Sequence, residues 1–250
     1  LEFRRVLFRS RLGRPPPPPP HSLAMPPMNF PACSFFSITS GLKAATMTHC
    51  FAAEKGLIAE TPEKQIFSQH TNIFGILSGA VPKELQKELA GRILTDTTLI
   101  RTTLYFKYYL FRALKMAGLG EAVPDLLQEW SLFLDHGFST FPEHGLNSRS
   151  DCHAWSAHPL IDLLTITCGI ESSAPGFREV EIRPSPAGFK KLSGSVPHPG
   201  GTIRTHYEET EAGRWNCRIS LPEGVSGSLH FRGEKFMLSP GENQILTGTS

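Results

Sequence analysis

Apolar residues recur with helical spacing through the middle of the chain. Between Gly41 and Ile170 they return every three or four positions, as at Leu85, Leu89 and Ile93. This is the period with which an α-helix buries one of its faces. The sequence therefore predicts a helical region over these residues.

Prolines and glycines divide the helical region into segments. Thr61-Pro62-Glu63 has the pattern of a helix start, with Thr61 as the N-cap and Pro62 in the first turn. Further helices are predicted from Pro82 and over residues 99–117, 124–135 and 157–168, with stops at Gly118, Gly137 and Gly169. Short connections predict antiparallel hairpins, in which buried and half-buried helices alternate.

After Ile170 the period of the apolar positions changes to two. Val180 and Ile182 alternate with Glu181 and Arg183. Further strands are predicted over residues 202–207, 215–221, 228–232 and 235–238. Glycine and proline turns separate these short segments, which is the pattern of an antiparallel β-sandwich.

The first forty residues differ in composition from the rest. Residues 1–14 are rich in arginine and start without Met, and residues 15–20 are all proline. A signal peptide would carry a continuous apolar stretch where these prolines stand. Because residues 1–10 also resemble translated vector or adapter sequence, we interpret residues 1–40 as a non-native or disordered leader. The alternative is a proline-rich ligand for an SH3-like partner.

Composition narrows the class of protein. A hydrophobic content of 40% with 19% charged residues suits a globular protein with a sizeable core. The formal net charge of +2 is too small to indicate a nucleic-acid partner. No apolar run reaches the roughly 18 residues of a membrane span. The cysteines are scattered and odd in number, so we expect them to be reduced and mostly buried: Cys33, Cys50, Cys152, Cys168 and Cys217.

Residues 141–160 hold the most chemically informative stretch. They include Glu143, the triplet Arg149-Ser150-Asp151, His153 and Trp155, in a loop between two apolar helical patterns. Loops on a rigid scaffold are where functional residues concentrate. A carboxylate transfers protons, an imidazole hydrogen-bonds hydroxyl groups, and an indole covers the apolar face of a sugar ring. The combination suits a polyhydroxylated sugar.

Other chemistries fail on spacing. His136, His144, His153 and His158 are close in sequence but lack the H-E-x-x-H or paired C-x-x-C spacing of zinc ligands. No G-x-S-x-G or G-x-x-x-x-G-K-[ST] sequence occurs, which disfavours serine α/β-hydrolases and P-loop enzymes. Cys152 beside His153 does not form a thiol dyad, because adjacent helical residues point about 100° apart.

Thr140-Phe141-Pro142-Glu143 and the run from Arg149 to Ala157 resemble two motifs of the family 78 glycoside hydrolases, the α-L-rhamnosidases. Many members of that family have Trp where Pro142 stands. The resemblance covers roughly residues 42–246, with further motifs at 67–72, 174–177, 182–184, 194–199 and 238–241. Their order along the chain is that of the family.

The resemblance implies an (α/α)6 barrel followed by a small β-domain. About six predicted helices make about three hairpins, which is half of such a barrel. The expected fold is therefore α+β and multidomain, a partial (α/α)6 toroid followed by an antiparallel β-sandwich. The expected domains are the leader at 1–40, the second half of the barrel at 41–170 and the β-sandwich at 171–250.

The resemblance also implies an inverting hydrolase that releases terminal α-L-rhamnose without a metal or organic cofactor. Glu143 would be the general base, although a solvated loop carboxylate is the ordinary alternative. The family's general acid lies upstream of the matched part, so the chain alone is expected to lack it and to be inactive. The other readings are a carbohydrate-binding or scaffold fragment without turnover, and another six-hairpin glycosidase. The partner is a rhamnosyl glycoside, with no nucleic acid or membrane.

Six further residues are expected to contact the sugar by resemblance: His153, Trp155, Arg149, Asp151, Gln69 and His70. His153 could instead bind a backbone carbonyl, Trp155 could be core, and Asp151 suits a helix N-cap. A core or capping role suits Gln69 and His70 equally.

Two consequences concern charge and exposure in this part of the chain. Arg149 could pair with Glu143 or with Asp151, which would lower the carboxylate's pKa. The open side of a half-barrel would expose inner aromatic residues such as Tyr105, Phe106 and Tyr109, and such a patch favours aggregation.

Overall fold

The computed structural model describes the backbone of residues 32–247 and the side chains of residues 39–247. The chain divides into two units, Leu1–Ile38 and Thr39–Ser250. The interpretation of residues 1–31 as a leader lies outside the described residues. Helix α1, Ala32–Cys50, includes the remaining part of that predicted leader.

The predicted helix stops are confirmed. After α1, the helices are α2 (Gln69–Leu77), α3 (Lys83–Thr95), α4 (Lys107–Met116), α5 (Val123–Leu126), α6 (Gln128–Asp135) and α7 (Pro159–Asp162). Turns of 3₁₀ helix cover Gly120–Ala122, Ala154–Ala157 and Pro175–Phe177, and a π-helical turn covers Leu163–Thr167. Gly118, Gly137 and Gly169 follow helical segments with φ of 75°, 77° and 76°, a left-handed backbone that glycine adopts without strain.

The predicted helix start at Thr61 is wrong. The Thr61 carbonyl accepts a hydrogen bond from the Lys64 amide at 3.1 Å, which closes a turn. Helix α2 has Ser68 as its N-cap, and Ser68 Oγ accepts from the Thr71 amide at 3.2 Å. A Thr-Pro-Glu sequence suits a tight turn as well as a helix start, and here it forms the turn.

The predicted helix over residues 99–117 starts later, at Lys107. The Ile100 amide donates to the Phe67 carbonyl at 3.1 Å, and the Ile100 carbonyl accepts from the Gln69 amide at 2.9 Å. This stretch therefore pairs, in extended form, with the residues that lead into α2. Pairing with a distant segment overrides the local helical pattern.

The strands belong mainly to the C-terminal part of the chain. They are β1 (Phe51–Ala52), β2 (Leu57–Ile58), β3 (Ile170–Ser172), β4 (Glu179–Ile182), β5 (Lys191–His198), β6 (Gly201–Glu209), β7 (Trp215–Leu221), β8 (Ser226–Phe231), β9 (Glu234–Leu238) and β10 (Gly241–Leu246). Apart from the β1–β2 pair, the described residues form two four-stranded sheets, ordered β10-β7-β6-β5 and β3-β4-β8-β9.

Among the ten strands named above, every pairing is antiparallel except that of β4 with β8. Strands β4 and β8 are parallel, with Val180 opposite Gly227. The expectation of a wholly antiparallel arrangement is wrong at this pair, because the chain passes through β5, β6 and β7 of the other sheet before it returns. The described fold is α+β with antiparallel sheets apart from this pair.

The sequence pattern does not predict strands β3, β5 and β10. Strand β5 has only exposed and half-buried side chains and contains Pro197. Because none of its side chains is fully buried, it shows no alternation of buried apolar and exposed polar residues. It lies at the edge of its sheet, where a proline removes the fewest ladder hydrogen bonds. Strand β10 is also an edge strand with no buried side chain. Strands β5 and β10 therefore escape an argument from hydrophobic period, whereas the edge strand β9, which ends in the buried Leu238, is predicted.

Buried hydrophobic side chains of the described residues form two clusters. The first joins the helices and includes Phe111 and Trp130. The second draws on both sheets, with Ile182 from one and Tyr207 and Ile219 from the other. Each cluster buries the apolar face of its elements, which is the main contribution to stability.

Charged side chains join α4 to strand β3. Lys115 Nζ lies 2.6 Å from Glu171 Oε2, and Arg112 Nη1 lies 3.2 Å from Glu171 Oε1. Arg112 Nη2 also lies 3.3 Å from Asp162 Oδ1, whose side chain is fully buried. Arg112, on α4, therefore links Asp162 of helix α7 to Glu171 of strand β3.

The cysteines with described side chains form no disulfide. Cys168 and Cys217 are buried, Cys50 is half-buried and Cys152 is exposed, so the expectation of burial holds for two of these four. Burial raises the pKa of the Cys168 thiol to about 11 and that of Cys217 to about 12. Within residues 32–247, no helix is long and apolar enough to cross a membrane.

Candidate functional site

The motif-bearing loop is closed by hydrogen bonds between its two arms. The Glu143 amide donates to the Ser150 carbonyl at 2.9 Å, and the His153 amide donates to the Phe141 carbonyl at 2.8 Å. The loop therefore has a fixed base, and it holds Glu143 and His153 on opposite arms.

Arg149 binds the Glu143 carboxylate with two hydrogen bonds. Its Nε donates to Oε2 at 2.9 Å and its Nη2 donates to Oε1 at 3.1 Å. Glu143 is largely covered, with a side-chain exposure of 15%, whereas Arg149 is 84% exposed. Of the two partners that the sequence leaves open for Arg149, the structure shows Glu143.

This pair keeps the Glu143 carboxylate ionised. The hydrogen bonds from Arg149 hold the pKa of Glu143 below its usual range, against a smaller desolvation effect that raises it. The charge of Arg149 and the nearby His144 and His153 lower this pKa further. The carboxylate can therefore accept a hydrogen bond or a proton at neutral pH.

Three rings form a cluster beside this loop. The ring centroids of Tyr105 and Trp155 are 5.4 Å apart, those of His153 and Trp155 are 5.9 Å apart, and those of Tyr105 and His153 are 6.2 Å apart. Trp155 is 70% exposed, so it is not a core residue. An exposed indole beside a tyrosine ring is a surface on which a sugar ring can stack.

The cluster opens into a hollow of about 380 Å³. Its walls are mostly aromatic: Tyr105, Tyr108, Tyr109, Ala154, Trp155, Ala157 and His158. A hollow of this size and lining is typical of a site for a small ligand.

His70 lies at the other end of the same row of rings. Its centroid is 4.3 Å from that of Phe106, which is 5.0 Å from Tyr109 and 5.4 Å from Phe74. Burial lowers the pKa of His70, and the nearby Glu60 carboxylate opposes this. Tyr109 and Phe74 are exposed, with 38% and 48% of their surface accessible, so the row presents an aromatic face to solvent.

Gln69 has the core role that the sequence leaves open. Its side chain is buried, Nε2 donates to the Ile93 carbonyl at 3.0 Å, and Oε1 accepts from the Thr102 amide at 2.9 Å. Both ends of the amide are used inside the protein. The geometry therefore gives no support to a sugar contact by Gln69.

Asp151 is not the N-cap of the following helix. The 3₁₀ turn starts at Ala154, and its N-cap is His153, which makes no side-chain capping hydrogen bond. Asp151 is exposed, and its carbonyl accepts from Thr140 Oγ1. The chain stays extended through His153 because the loop arms pair there, which moves the helix start away from Asp151.

His158 and Asp162 form a buried pair behind the aromatic cluster. His158 Nδ1 lies 2.5 Å from Asp162 Oδ2, and His158 Nε2 lies 2.9 Å from the Leu104 carbonyl. Trp130 Nε1 donates to the Ser156 carbonyl at 2.7 Å. These contacts fix the turn that carries Trp155.

The His158–Asp162 pair has a signal in the sequence, although it belongs to none of the motifs named above. A histidine four residues before an aspartate places both on one face of a helix. Within the residues that the structure describes, no group of three or more His, Cys, Asp and Glu side chains is arranged to bind a metal.

Comparison with known proteins identifies the C-terminal region. Residues 169–245 match the family model described as the bacterial alpha-L-rhamnosidase C-terminal domain. The curated proteins give no match.

Solved α-L-rhamnosidases share the fold. The chain is similar to the family 78 rhamnosidase of Bacillus sp. GL1 with a TM-score of 0.70 and 23% identity, over 80% of this chain and 23% of that one. The enzyme of Aspergillus terreus gives a TM-score of 0.70 and 15% identity, over 86% of this chain and 27% of that one.

A third solved enzyme, from Streptomyces avermitilis and complexed with L-rhamnose, gives a TM-score of 0.70 and 17% identity, over 86% of this chain and 24% of that one. The chain thus spans about a quarter of the length of these relatives. Residues 169–245 thus match the α-L-rhamnosidase C-terminal domain, and the chain has the fold of a part of these solved enzymes.

Proposed function

We propose that this chain is the C-terminal part of an inverting α-L-rhamnosidase. In this proposal, residues 41–170 form the second half of an (α/α)6 catalytic barrel and residues 171–250 form a C-terminal β-sandwich. The domain match over residues 169–245 supports the proposal, as do the solved enzymes of the same fold.

The ionised Glu143 carboxylate carries the proposed chemistry. An inverting glycosidase needs a carboxylate that removes a proton from the attacking water. Arg149 keeps Glu143 ionised, and the same loop brings His153 next to the Trp155 ring. Glu143 is therefore proposed as the general base.

The aromatic hollow is the proposed sugar site. Trp155 and Tyr105 would cover the apolar face of the rhamnose ring, and His153 would hydrogen-bond a ring hydroxyl. His70, at the other end of the aromatic row, and Arg149 and Asp151, on the loop, are proposed to contact substrate groups farther from the ring.

The proposed general acid belongs to a part of the enzyme upstream of residue 42, where the resemblance to the family begins. An inverting mechanism needs a protonated carboxyl roughly 6.5–9.5 Å from the base. Burial is what keeps such a carboxyl protonated. All glutamates of the described chain between Glu54 and Glu129 are exposed, and the buried Asp162 carboxyl is already bound by Arg112 and His158. We therefore propose that the chain alone does not hydrolyse rhamnosides.

Tryptophan fluorescence tests the sugar site. Trp155 is 70% exposed, whereas Trp130 and Trp215 are buried, so a change in the exposed-indole emission reports on Trp155. Titration with L-rhamnose should shift this emission, and Trp155→Phe should abolish the shift. L-Rhamnose that leaves the emission unchanged, or that shifts it equally in Trp155→Phe, would argue against the site.

The proposed role of Glu143 as general base is tested by comparing the parent chain with Glu143→Gln. Glu143→Gln keeps the shape of the side chain and removes its charge. If the chain is a carbohydrate-binding module without turnover, the parent chain and Glu143→Gln should bind L-rhamnose equally. In that case a protein extended upstream of this chain should not release sugar either. Several hundred further in-frame residues upstream in the transcript would favour the enzyme.

A further inference from the structure

The outer face of the β10-β7-β6-β5 sheet carries a second hollow, of about 480 Å³. Along β6 the side chains alternate, so that Ile203 and Tyr207 are buried in the core while Arg204 and His206 point outward. The hollow is lined by these outward-facing side chains and by those of the neighbouring strands. It lies on different elements from the Glu143 loop.

The strand register arranges the outward side chains in two polar rows. The first row is Glu242, Ser220, Arg204 and Ser195, read from β10 to β5. The second row is Gln244, Arg218, His206 and Ser193. Ser193 and His206 are linked by a hydrogen bond of 2.8 Å between Oγ and Nδ1. The face thus offers hydroxyl, imidazole and guanidinium groups in a regular array.

Two arginines concentrate positive charge on this face. Because Arg204 lies opposite Ser220, it is the diagonal neighbour of Arg218 on β7, a relationship that places such residues roughly 7–8 Å apart. Among the described residues, neither guanidinium has a hydrogen-bond or ion-pair partner. In the next row, by contrast, Lys191 and Glu208 form an ion pair at 3.4 Å.

We propose that this face binds an acidic carbohydrate, a sugar chain that carries uronate carboxylates. A guanidinium binds a carboxylate through two parallel hydrogen bonds, and two adjacent arginines can bind carboxylates of the same chain. The serine hydroxyls and the Glu242 carboxylate, at the edge of the hollow, suit the hydroxyl groups between those carboxylates.

The lining distinguishes this ligand class from others. Apart from His206, the residues around the hollow include no aromatic side chain. A site for single-stranded nucleic acid stacks bases on aromatic rings, and a site for neutral sugars commonly stacks a ring on Trp or Tyr. Charge and hydroxyl groups are the recognition elements that this face offers. The assignment is independent of the proposed hydrolysis at Glu143.

Calorimetric titration of the full chain with trigalacturonic acid tests the proposal, with maltotriose as the neutral sugar of equal length. Arg204→Gln and Arg218→Gln should each weaken trigalacturonate binding roughly tenfold, the loss expected for one charge-assisted contact. The control is the double variant Lys87→Gln/Lys235→Gln, which removes two exposed positive charges elsewhere and should stay within about twofold of the parent chain.

The outcomes separate the alternatives. Trigalacturonate binding that is weakened by both arginine variants and not by the lysine control supports the proposal. Failure of the parent chain to bind trigalacturonate overturns it, as does equal weakening by the control. Inorganic phosphate that displaces trigalacturonate at equal concentration also overturns it, because the face would then recognise simple anions. Unchanged circular dichroism in the variants shows that any loss is not due to unfolding.

Discussion

Arg149 donates two hydrogen bonds to Glu143, at 2.9 Å and 3.1 Å, from a position six residues farther along the same loop. The arginine is exposed and the carboxylate is largely covered, so solvent reaches the pair from the arginine side. The pair orients the carboxylate and lowers its pKa. A base that is both oriented and ionised is what proton abstraction from water requires.

This pair should make stability depend on pH. Arg149 lowers the folded-state pKa of Glu143 below the unfolded value of about 4.3, so the unfolded state binds more protons between the two values. The contribution of the pair is therefore present above the unfolded pKa and is lost as the pH falls through the folded pKa. Urea unfolding between about pH 7 and about pH 3 should show this loss in the parent chain and not in Arg149→Ala.

The control for this prediction is Lys87→Ala, which removes an exposed positive charge on α3. It should keep the pH dependence of the parent chain. Parallel curves for the parent chain and Arg149→Ala would mean that the pair contributes nothing to folding.

The His158–Asp162 pair should be a large contributor to stability. His158→Ala leaves the fully buried Asp162 carboxylate without its histidine and the Leu104 carbonyl without a donor. Asp162 keeps its contact with Arg112, so the loss is that of hydrogen-bonding groups left unsatisfied, roughly 1–3 kcal/mol of unfolding free energy. Chemical denaturation measures the loss, and the exposed His136→Ala should change stability by about 0.5 kcal/mol or less. Equal effects of the two substitutions would show that the buried pair is not a stabilising element.

Two glycines should respond to alanine in opposite directions. A Cβ at Gly227, on β8, would lie 2.1 Å from the Val180 carbonyl oxygen of the parallel strand. Gly227→Ala should therefore destabilise the fold by about 3 kcal/mol. Gly91, inside helix α3, has no atom within 4 Å of its would-be Cβ, and Gly91→Ala should stabilise by about 0.5–1 kcal/mol. Thermal unfolding of both variants measures the two effects. A Gly227→Ala variant that is not destabilised, or a Gly91→Ala variant that is not stabilised, would contradict the prediction.

The exposed aromatic row should promote self-association of the chain. Phe74 and Tyr109 are about half and a third exposed beside Phe106, and such patches bind apolar dyes and other copies. Phe74→Ser should lower dye binding and concentration-dependent scattering. Met237→Ser, at a 75% exposed methionine on β9, is the control and should change them less. If dye binding and scattering fall equally in Phe74→Ser and Met237→Ser, the aromatic row is not the cause of self-association.

Local signals in the sequence predict much of the fold. Left-handed glycines such as Gly118 and Gly169 end helical segments where the pattern places them, and strand β7 has its predicted bounds, Trp215–Leu221. These features depend on nearby residues alone. At Thr61 the local sequence suits a tight turn as well as a helix start, and the turn forms. The extended residues near Ile100 depend on pairing with a distant segment, which a local pattern does not contain.

The candidate site, like the fold, can be predicted from the sequence only in part. The placement of Glu143 in a loop follows from a polar motif between two apolar helices, whereas the exposure of Trp155, for which the sequence leaves a core position open, is shown by the structure. The choice of Glu143 over Asp151 as the partner of Arg149 depends on how the two loop arms pair, and the burial of Gln69 depends on Ile93 and Thr102. Both require the tertiary structure.

Hydrolysis of p-nitrophenyl α-L-rhamnoside tests the central claim most directly. We expect no release of p-nitrophenol by the chain alone, with or without Glu143→Gln, because in the proposal the general acid and the other half of the barrel that completes the sugar site belong to a further part of the enzyme. The open reading frame extended upstream should release it, and Glu143→Gln in that longer form should lower kcat by about 10²-fold or more. Turnover by the chain alone that Glu143→Gln abolishes would place the acid within these residues, and a longer form unaffected by Glu143→Gln would contradict the role of Glu143.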